Sequence, residues 1–291
     1  MAIWNLGSIN ADLVYSLPHL PVAGETLAAE EMDRFLGGKG ANMSVAAARA
    51  GAHVAHIGAV GPDGRWTVRR LMEYGVDTRH IVELPEPTGH ALIFVEPGGE
   101  NQIVILPGAN RAIPETAIQA ALVAAGAGDT LLIQNETNGQ AMAARIGRDL
   151  GLRVAYAAAP FDARAVQAVL PFLDLLILNE VEAQQLQQAS GQAPETLPVR
   201  DVIVTLGARG ARHIDTGSGE IRDYPAVPVT PVDTTGAGDT FTGYVLAGLD
   251  RGMAMPQAIA QAMRAAAIMV TRRGTADVIP DLRDVQASRL G

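Results

Sequence analysis

The sequence predicts an α/β protein built as three layers, a mostly parallel central sheet with helices on both of its faces. Short apolar runs rich in β-branched residues alternate with alanine-rich segments of helical length, the pattern of a parallel sheet covered on two sides. Hydrophobic residues make up 48% of the chain and aromatics 4%, so the core must be built mostly from Ala, Val, Leu and Ile. A chain of 291 residues has ample length to bury such a core, and a single domain over 1–291 is expected.

Taken in order, the expected sheet strands are Ile3 to Gly7, Val54 to Ala59, Thr130 to Gln134, Arg153 to Ala157, Leu175 to Leu178 and Val202 to Thr205. Between them the pattern predicts helices at Ala41 to Ala50, Asp63 to Tyr74, Pro114 to Ala125, Gly139 to Leu150 and Glu180 to Gln188, with Gly238 to Leu249 and Pro256 to Val270 closing the chain. Two stretches break the alternation. Asp12 to Phe35 is extended and polar, interrupted by Pro18, Pro21 and Gly24. Thr88 to Leu106 reads as a hairpin, with Ala91 to Val95 and Ile103 to Ile105 flanking the turn Pro97-Gly98-Gly99-Glu100-Asn101. Together, at about 12–36 and 88–106, they are expected to form a small accessory sheet that projects as a lid; the alternative is an extension of the central sheet.

Composition excludes several function classes. Acidic residues outnumber basic ones, 31 to 22, with no consecutive basic block, which argues against a nucleic-acid or anionic-membrane partner. The absence of cysteine rules out disulfides, thiolate catalysis and cysteine-ligated metals, and the six histidines lack metal-ligand spacing. The opening Met1-Ala2-Ile3-Trp4-Asn5-Leu6-Gly7 does not resemble a signal peptide, and no apolar run reaches the roughly 18 residues of a membrane span. A soluble cytoplasmic protein is expected. Lys39 is the only lysine among the 22 basic residues.

The strongest chemical signal is Asp233-Thr234-Thr235-Gly236-Ala237-Gly238-Asp239-Thr240-Phe241, immediately before an apolar helical run. Small residues let the backbone approach a ligand, and a helix start presents unpaired N–H groups with partial positive charge, which together suit a phosphate. Asp239 falls in the first turn, where the helix field should keep it ionised and able to accept a proton from a hydroxyl; as an isolated residue it reads as a helix cap. Neither a Walker A sequence nor a Gly-x-Gly-x-x-Gly pattern is present. Asn10 and Asp12 lie two apart, so an extended segment points both to one side, although singly each reads as turn chemistry. Glu136 follows a predicted strand at its C-terminal end, where open α/β sheets bind ligands.

Asp233 to Asp239, Gly37-Gly38-Lys39-Gly40-Ala41-Asn42 and Gly7-Ser8-Ile9-Asn10-Ala11-Asp12 together resemble the ribokinase family of carbohydrate and nucleoside kinases. Further likeness lies in Thr88-Gly89-His90-Ala91-Leu92-Ile93-Phe94, Pro107-Gly108-Ala109-Asn110, Leu178-Asn179-Glu180-Val181-Glu182 and Thr205-Leu206-Gly207-Ala208-Arg209-Gly210, in family order over nearly the whole chain. The resemblance implies the ribokinase-like fold with its β-sheet lid, and ATP-dependent phosphoryl transfer to a hydroxymethyl group of a pentose, with D-ribose the expected acceptor. A nucleoside or another sugar is the alternative in the same class; a sugar-binding regulator without catalysis is the alternative outside it.

By the same resemblance, Asp239 is implied as catalytic base, with Gly236, Ala237 and Gly238 as the anion hole. Asn10, Asp12, Gly38, Lys39, Asn42 and Glu136 are implied as sugar ligands, and Asn179, Thr205, Gly207 and Gly210 as nucleotide-binding residues. Glu182 is implied to act on the Mg²⁺ that accompanies ATP, through water, although Asn179 with acidic residues after it also reads as a capped helix start. Asp233, Thr235, Arg272 and Gly274 match a K⁺ site formed largely by backbone carbonyls. Met263 and Arg264 depart from the smaller or hydrogen-bonding residues relatives place by the adenine. Pairing of lid sheets implies a homodimer. Lys39 is expected to bring a compact ammonium near sugar oxygens and the transferring phosphate, a geometry a planar guanidinium does not reproduce.

Overall fold

The computed structural model describes residues 1–288; the last three residues of the expected domain, 289–291, lie outside the described residues. Its strands are numbered along the chain. The central sheet comprises β1 (Ala2–Leu6), β4 (His53–Val60), β5 (Asp77–Glu83), β8 (Thr130–Ile133), β9 (Arg153–Ala157), β10 (Leu175–Asn179), β11 (Asp201–Thr205), β12 (Ala211–Asp215) and β13 (Glu220–Tyr224). Their order is β13-β12-β11-β10-β9-β8-β1-β4-β5, parallel except for the antiparallel β11, β12 and β13 edge.

Two apolar layers sandwich this sheet. In β1, Ile3 packs into one layer while Trp4 and Leu6 pack into the other, as a strand buried on both faces requires. The first layer is covered by α1 (Lys39–Arg49), α2 (Arg65–Glu73), α7 (Ala237–Asp250), α8 (Met255–Val270) and α9 (Leu282–Ala287). The second is covered by α3 (Glu115–Leu122), α4 (Gln140–Asp149), α5 (Ala163–Val169) and α6 (Glu180–Ser190). Phe241, Tyr244 and Val245 of α7 are buried against the first layer, each contributing roughly 1.5–3 kcal/mol. That anchoring holds the α7 N-terminus beside the C-terminal ends of the strands.

A separate small sheet contains β2 (Asn10–Ser16), β3 (Glu31–Gly37), β6 (Gly89–Val95) and β7 (Asn101–Leu106), in the order β3-β2-β6-β7. The two irregular stretches therefore pair with each other and do not extend the central sheet.

Three central strands go beyond the sequence expectation: β5, β12 and β13. All lie at or next to a sheet edge and are half-solvated, so Asp77-Thr78-Arg79-His80 and Ala211-Arg212-His213 lack the apolar runs that marked the inner strands. The short helices α5 and α9 were not expected either. The helix expected from Asp63 starts with a 3₁₀ turn at Pro62–Gly64 before α2.

Candidate active site

The C-terminal ends of β1, β8, β10 and β11 release Gly7 to Asp12, Glu136, Asn179 to Glu182 and Thr205 to Gly210 at one edge of the sheet, facing the starts of α1 and α7. The Gly7-Ser8 turn after β1 meets the Gly37 to Asn42 segment directly. A Cβ on Gly40 would lie 2.3 Å from the Ser8 nitrogen, so only glycine permits this approach. Ser8 binds the contact: its carbonyl accepts the Ala41 N–H at 2.8 Å and its hydroxyl accepts the Gly40 N–H at 3.1 Å. The Ser8 hydroxyl donates in turn to Glu136 Oε2, which also accepts the Lys39 backbone N–H at 3.0 Å. Glu136 is thereby fastened to the positive end of α1.

Beneath these segments runs a buried hydrogen-bond chain. Gln134 Nε2 donates to Asn5 Oδ1 at 2.7 Å, and Asn5 Nδ2 donates to the Gly40 carbonyl and to Ser44 Oγ, both at 2.8 Å. Ser44 pairs with His56 Nδ1 at 2.8 Å, and His56 Nε2 donates to the Gly7 carbonyl at 3.0 Å. A carbonyl only accepts, which fixes the proton on Nε2. Burial pushes the His56 imidazole down to about 4, so it is neutral at pH 7.

Asn10 and Asp12 begin β2, both nearly buried. Asn10 Oδ1 accepts from Asn110 Nδ2 at 2.8 Å, while Asn110 Oδ1 accepts the Ile9 N–H at 2.9 Å. Among the described residues the Asp12 carboxyl has no hydrogen-bond donor. Burial, followed by the charges of Glu136 and Asp239, pushes it up to about 7. Sequence assigns no role to Ser8 or Asn110 beyond membership of the Gly7 to Asp12 and Pro107 to Asn110 motifs, because their partners lie 128 and 101 residues away in sequence.

At the start of α7, Gly236 has φ 75°, and a Cβ there would also lie 2.9 Å from Met269 Cε. This left-handed turn leaves the amides of Gly236 and Gly238 without a partner among the described residues, while Ala237 makes only a 3.3 Å turn bond to Thr234. Asp239 sits in the next position, 7% exposed, with Oδ2 accepting from Asn42 Nδ2 at 2.9 Å. The expectation that the helix field keeps Asp239 ionised meets a larger opposing effect. Burial pushes its carboxyl above the ordinary carboxylate range, and the Lys39 ammonium and the Asn42 amide pull it back.

Lys39 opens α1 with no ion pair within 4 Å among the described residues. The Asp239 charge, with Glu136 and Glu182 behind it, holds its ammonium above the usual lysine value. Glu182 is held above the usual carboxylate range by burial, with Lys39 and the Asn179 N–H lowering it and Asp239 raising it. One lysine thus faces three carboxylates drawn from distant parts of the chain.

Asn179 and Glu182 form a reciprocal capping box: Asn179 Oδ1 accepts the Glu182 N–H at 2.8 Å and Glu182 Oε2 accepts the Asn179 N–H at 2.7 Å. The capping reading therefore holds, and it leaves Glu182 Oε1 unengaged. Thr205 is paired with Asn179 in the parallel register of β10 and β11. Thr205, Gly207 and Gly210 line a cavity of about 480 Å³ that ends at Ala237 and Gly238. Asn179 does not line it. Asp233 Oδ1 accepts the Thr235 N–H at 2.9 Å and Oδ2 accepts the Gly274 N–H at 3.2 Å, tying the two expected cation-binding segments together. The Arg272 side chain points away, to the Val278 carbonyl, so only its backbone can face that site. Among the described residues no group of three or more His, Asp or Glu side chains is arranged to hold a metal.

A buried carboxylate and a row of open amides at one helix start, with Lys39 and two further carboxyls on one side and a cavity of about 480 Å³ on the other, define a phosphotransferase with an alcohol acceptor. A model of the pfkB family carbohydrate kinases matches residues 3–282, and the chain belongs to that family. It is 36% identical to a ribokinase of Haemophilus influenzae over 290 residues, covering 94% of each chain. It is 30% identical to a deoxyribokinase of Salmonella typhimurium, covering 97% of this chain and 96% of the relative. The solved structure of Arabidopsis thaliana ribokinase complexed with ribose and ATP superposes with a TM-score of 0.86 at 28% identity, covering 98% of each chain.

Proposed function

We propose that the chain transfers the γ-phosphoryl group of ATP to O5 of D-ribose in the cytoplasm, with Asp239 as the base. The observation that carries this reading is the placement of Asp239, buried beside the open amides of Gly236 and Gly238 and held by one oxygen only. The free Oδ1 takes the proton of the acceptor hydroxyl as its oxygen bonds to phosphorus and the bond to the ADP leaving group breaks. The amides of Gly236, Ala237 and Gly238 receive the equatorial oxygens, in the positioning and charge stabilisation that dominate phosphoryl transfer. Lys39 adds a cation to the same space.

For the sugar, Asp12 accepts from two neighbouring hydroxyls, and Asn10, Gly38, Lys39, Asn42 and Glu136 complete the pocket. Asn42 Oδ1, buried and without a partner, is an acceptor that a sugar hydroxyl satisfies. The nucleotide lies along the cavity past Thr205, Gly207 and Gly210, with Asn179 near the phosphates. Mg²⁺ supplies charge neutralisation at the phosphates when bound, and Glu182 Oε1 would hold its water shell. The carbonyls and carboxylate of Asp233, Thr235, Arg272 and Gly274 would hold K⁺ and so stiffen the loop that precedes the open amides.

The small sheet, at about 12–36 and 88–106, acts as a lid that excludes water from the sugar. Its β7 edge exposes Ile103, Val104, Ile105 and Leu106 in succession, which supports pairing with a second copy. Ala91 and Ile93 share the Asp12 face of this sheet, being register partners of Asp12 and Val14, whereas Phe94 lies on the opposite face against Tyr15. Phe94, the aromatic side chain of this strand, is thus turned away from the Asp12 face and is not placed to stack on a nucleoside base, which favours a sugar. Deoxyribose is the second reading, supported by the deoxyribokinase relative.

The test is an ATP-dependent phosphorylation screen over pentoses, hexoses, sugar phosphates and nucleosides, with and without K⁺. Ribose is expected to give the highest kcat/KM. Saturable sugar binding without turnover of any acceptor would instead make the protein a regulator.

A further inference from the structure

The cavity of about 480 Å³ beyond the open amides runs between α8 and the extended segment 225–231. Its two ends can be told apart. Val270 lies at the α7 end, where its carbonyl accepts the N–H groups of Val232 and Asp233. Met263 precedes it by seven residues on α8, and at 1.5 Å per residue this sets it roughly 10 Å further out. If phosphates sit on the Gly236 turn, the base of the nucleotide sits against Met263.

At that end, among the described residues lining the cavity, no side chain can read a purine edge. Among the residues lining the cavity only Thr205 and Thr234 carry polar side chains. Both belong to the phosphate end, Thr205 as the register partner of Asn179 and Thr234 two residues before Gly236. The base end is walled by Met263, Ala266 and the segment Ala226-Val227-Pro228-Val229, and Arg264 is exposed and takes no part in the lining. Pro228 also removes a backbone donor from that wall.

Resting on the reading of this cavity as the nucleotide site, we infer that the phosphoryl donor is selected by the shape and apolar contact of its base, with Met263 as the specificity-determining residue, and that purine nucleoside triphosphates other than ATP serve within about 100-fold of it. Apolar pockets discriminate isosteric ligands by no more than about 100-fold, whereas sites built to hydrogen-bond them reach 10⁴ or beyond. The polarizable thioether packs on any purine face without reading its edge.

Inosine triphosphate is the sharp probe, because it matches ATP in size and reverses hydrogen-bond polarity at positions 1 and 6. Calorimetry with the full chain and Mg²⁺ measures the Kd of each nucleotide directly, and turnover with ribose follows. The expected result is a Kd ratio below about 100-fold, with kcat/KM ratios in the same range. Met263→Asn, which offers an amide to the base edge, is expected to change the ATP to inosine triphosphate ratio by tenfold or more. A wild-type preference for ATP above about 100-fold, or a ratio that Met263→Asn leaves unchanged, overturns the inference. Nucleotide binding with no turnover of any sugar would count against the proposed reaction alone; no binding of either nucleotide would remove both.

Discussion

Asn42 donates its side-chain amide to Asp239 Oδ2 at 2.9 Å, joining the helix starts of α1 and α7 across 197 residues of chain. The bond fixes which carboxylate oxygen remains for proton transfer, and it is one of two influences that hold the Asp239 pKa down against burial. Asn42→Ala removes that influence while Lys39 stays. The Asp239 carboxyl must then titrate at higher pH, because its ionised form has lost a donor that its neutral form needs less. The acidic limb of the kcat/KM profile is expected to move to higher pH. An unshifted limb in Asn42→Ala would show that Asn42 contacts the sugar only.

Asp239→Asn keeps the shape of the helix start and removes the proton acceptor. General-base catalysis contributes about 10²- to 10⁴-fold, so kcat is expected to fall by that range while ribose affinity, measured by calorimetry, changes little. Near-normal turnover would falsify the base assignment.

The inner strands were legible because each is an apolar run bounded by turns, and the site motifs because small residues before a helix start have few other uses. The partners of those motifs were not. Ser8 with Glu136, and Asn110 with Ile9, are contacts made by the topology, and nothing local to either residue announces them. Edge strands such as β12 and β13 escaped for a related reason, since half-solvated strands carry arginine and aspartate where inner ones carry valine. The raised Asp12 and Asp239 pKa values were equally hidden, because burial is a property of the assembled pocket.

Lys39 is the only lysine, so amine-selective labelling reports on it once the N-terminal amine is distinguished. Its ammonium sits opposite Asp239, Glu136 and Glu182, the space assigned to the sugar oxygens and the transferring phosphate. Ribose with a nonhydrolysable ATP analogue is expected to slow its labelling by tenfold or more, and Lys39→Arg to lower kcat/KM. Unchanged labelling together with a fully active Lys39→Arg would leave the solitary lysine as an accident of composition.

The β7 strand offers four consecutive exposed apolar residues on a sheet edge, a pattern that a monomer rarely leaves uncovered. Val104→Lys places a charge on that edge on the face opposite Asp12, since Val104 pairs with Leu92 and Leu92 with Leu13. Sedimentation is expected to find a dimer for the parent chain and a monomer for Val104→Lys, with KM for ribose raised in the monomer if the paired sheets steady each other. A parent chain that sediments as a monomer at all concentrations refutes pairing through this sheet.

Asp12 links ligand binding to stability. Its carboxyl titrates near 7 in the fold, against 3.8 for an unperturbed group, because burial and two neighbouring carboxylates oppose its charge. Between those values the folded chain retains a proton that the unfolded chain has released. The penalty for ionised Asp12 is therefore fully present above pH 7, declines as pH falls, and is gone below 3.8. A shift of this size corresponds to about 4 kcal/mol at most. Asp12→Asn removes the penalty, so at pH 8 the variant is expected to melt roughly 5 °C above the parent, with the gap narrowing steadily toward pH 4. The same substitution turns one of the two acceptor oxygens proposed for the sugar hydroxyls into an amide donor, so ribose affinity should fall by at least tenfold at pH 8. Stability given up at a binding site is the expected cost of holding an ionised group ready for its ligand. If Asp12→Asn melts at or below the parent temperature at pH 8, the carboxylate is not opposed by its surroundings, and its role in the pocket is structural.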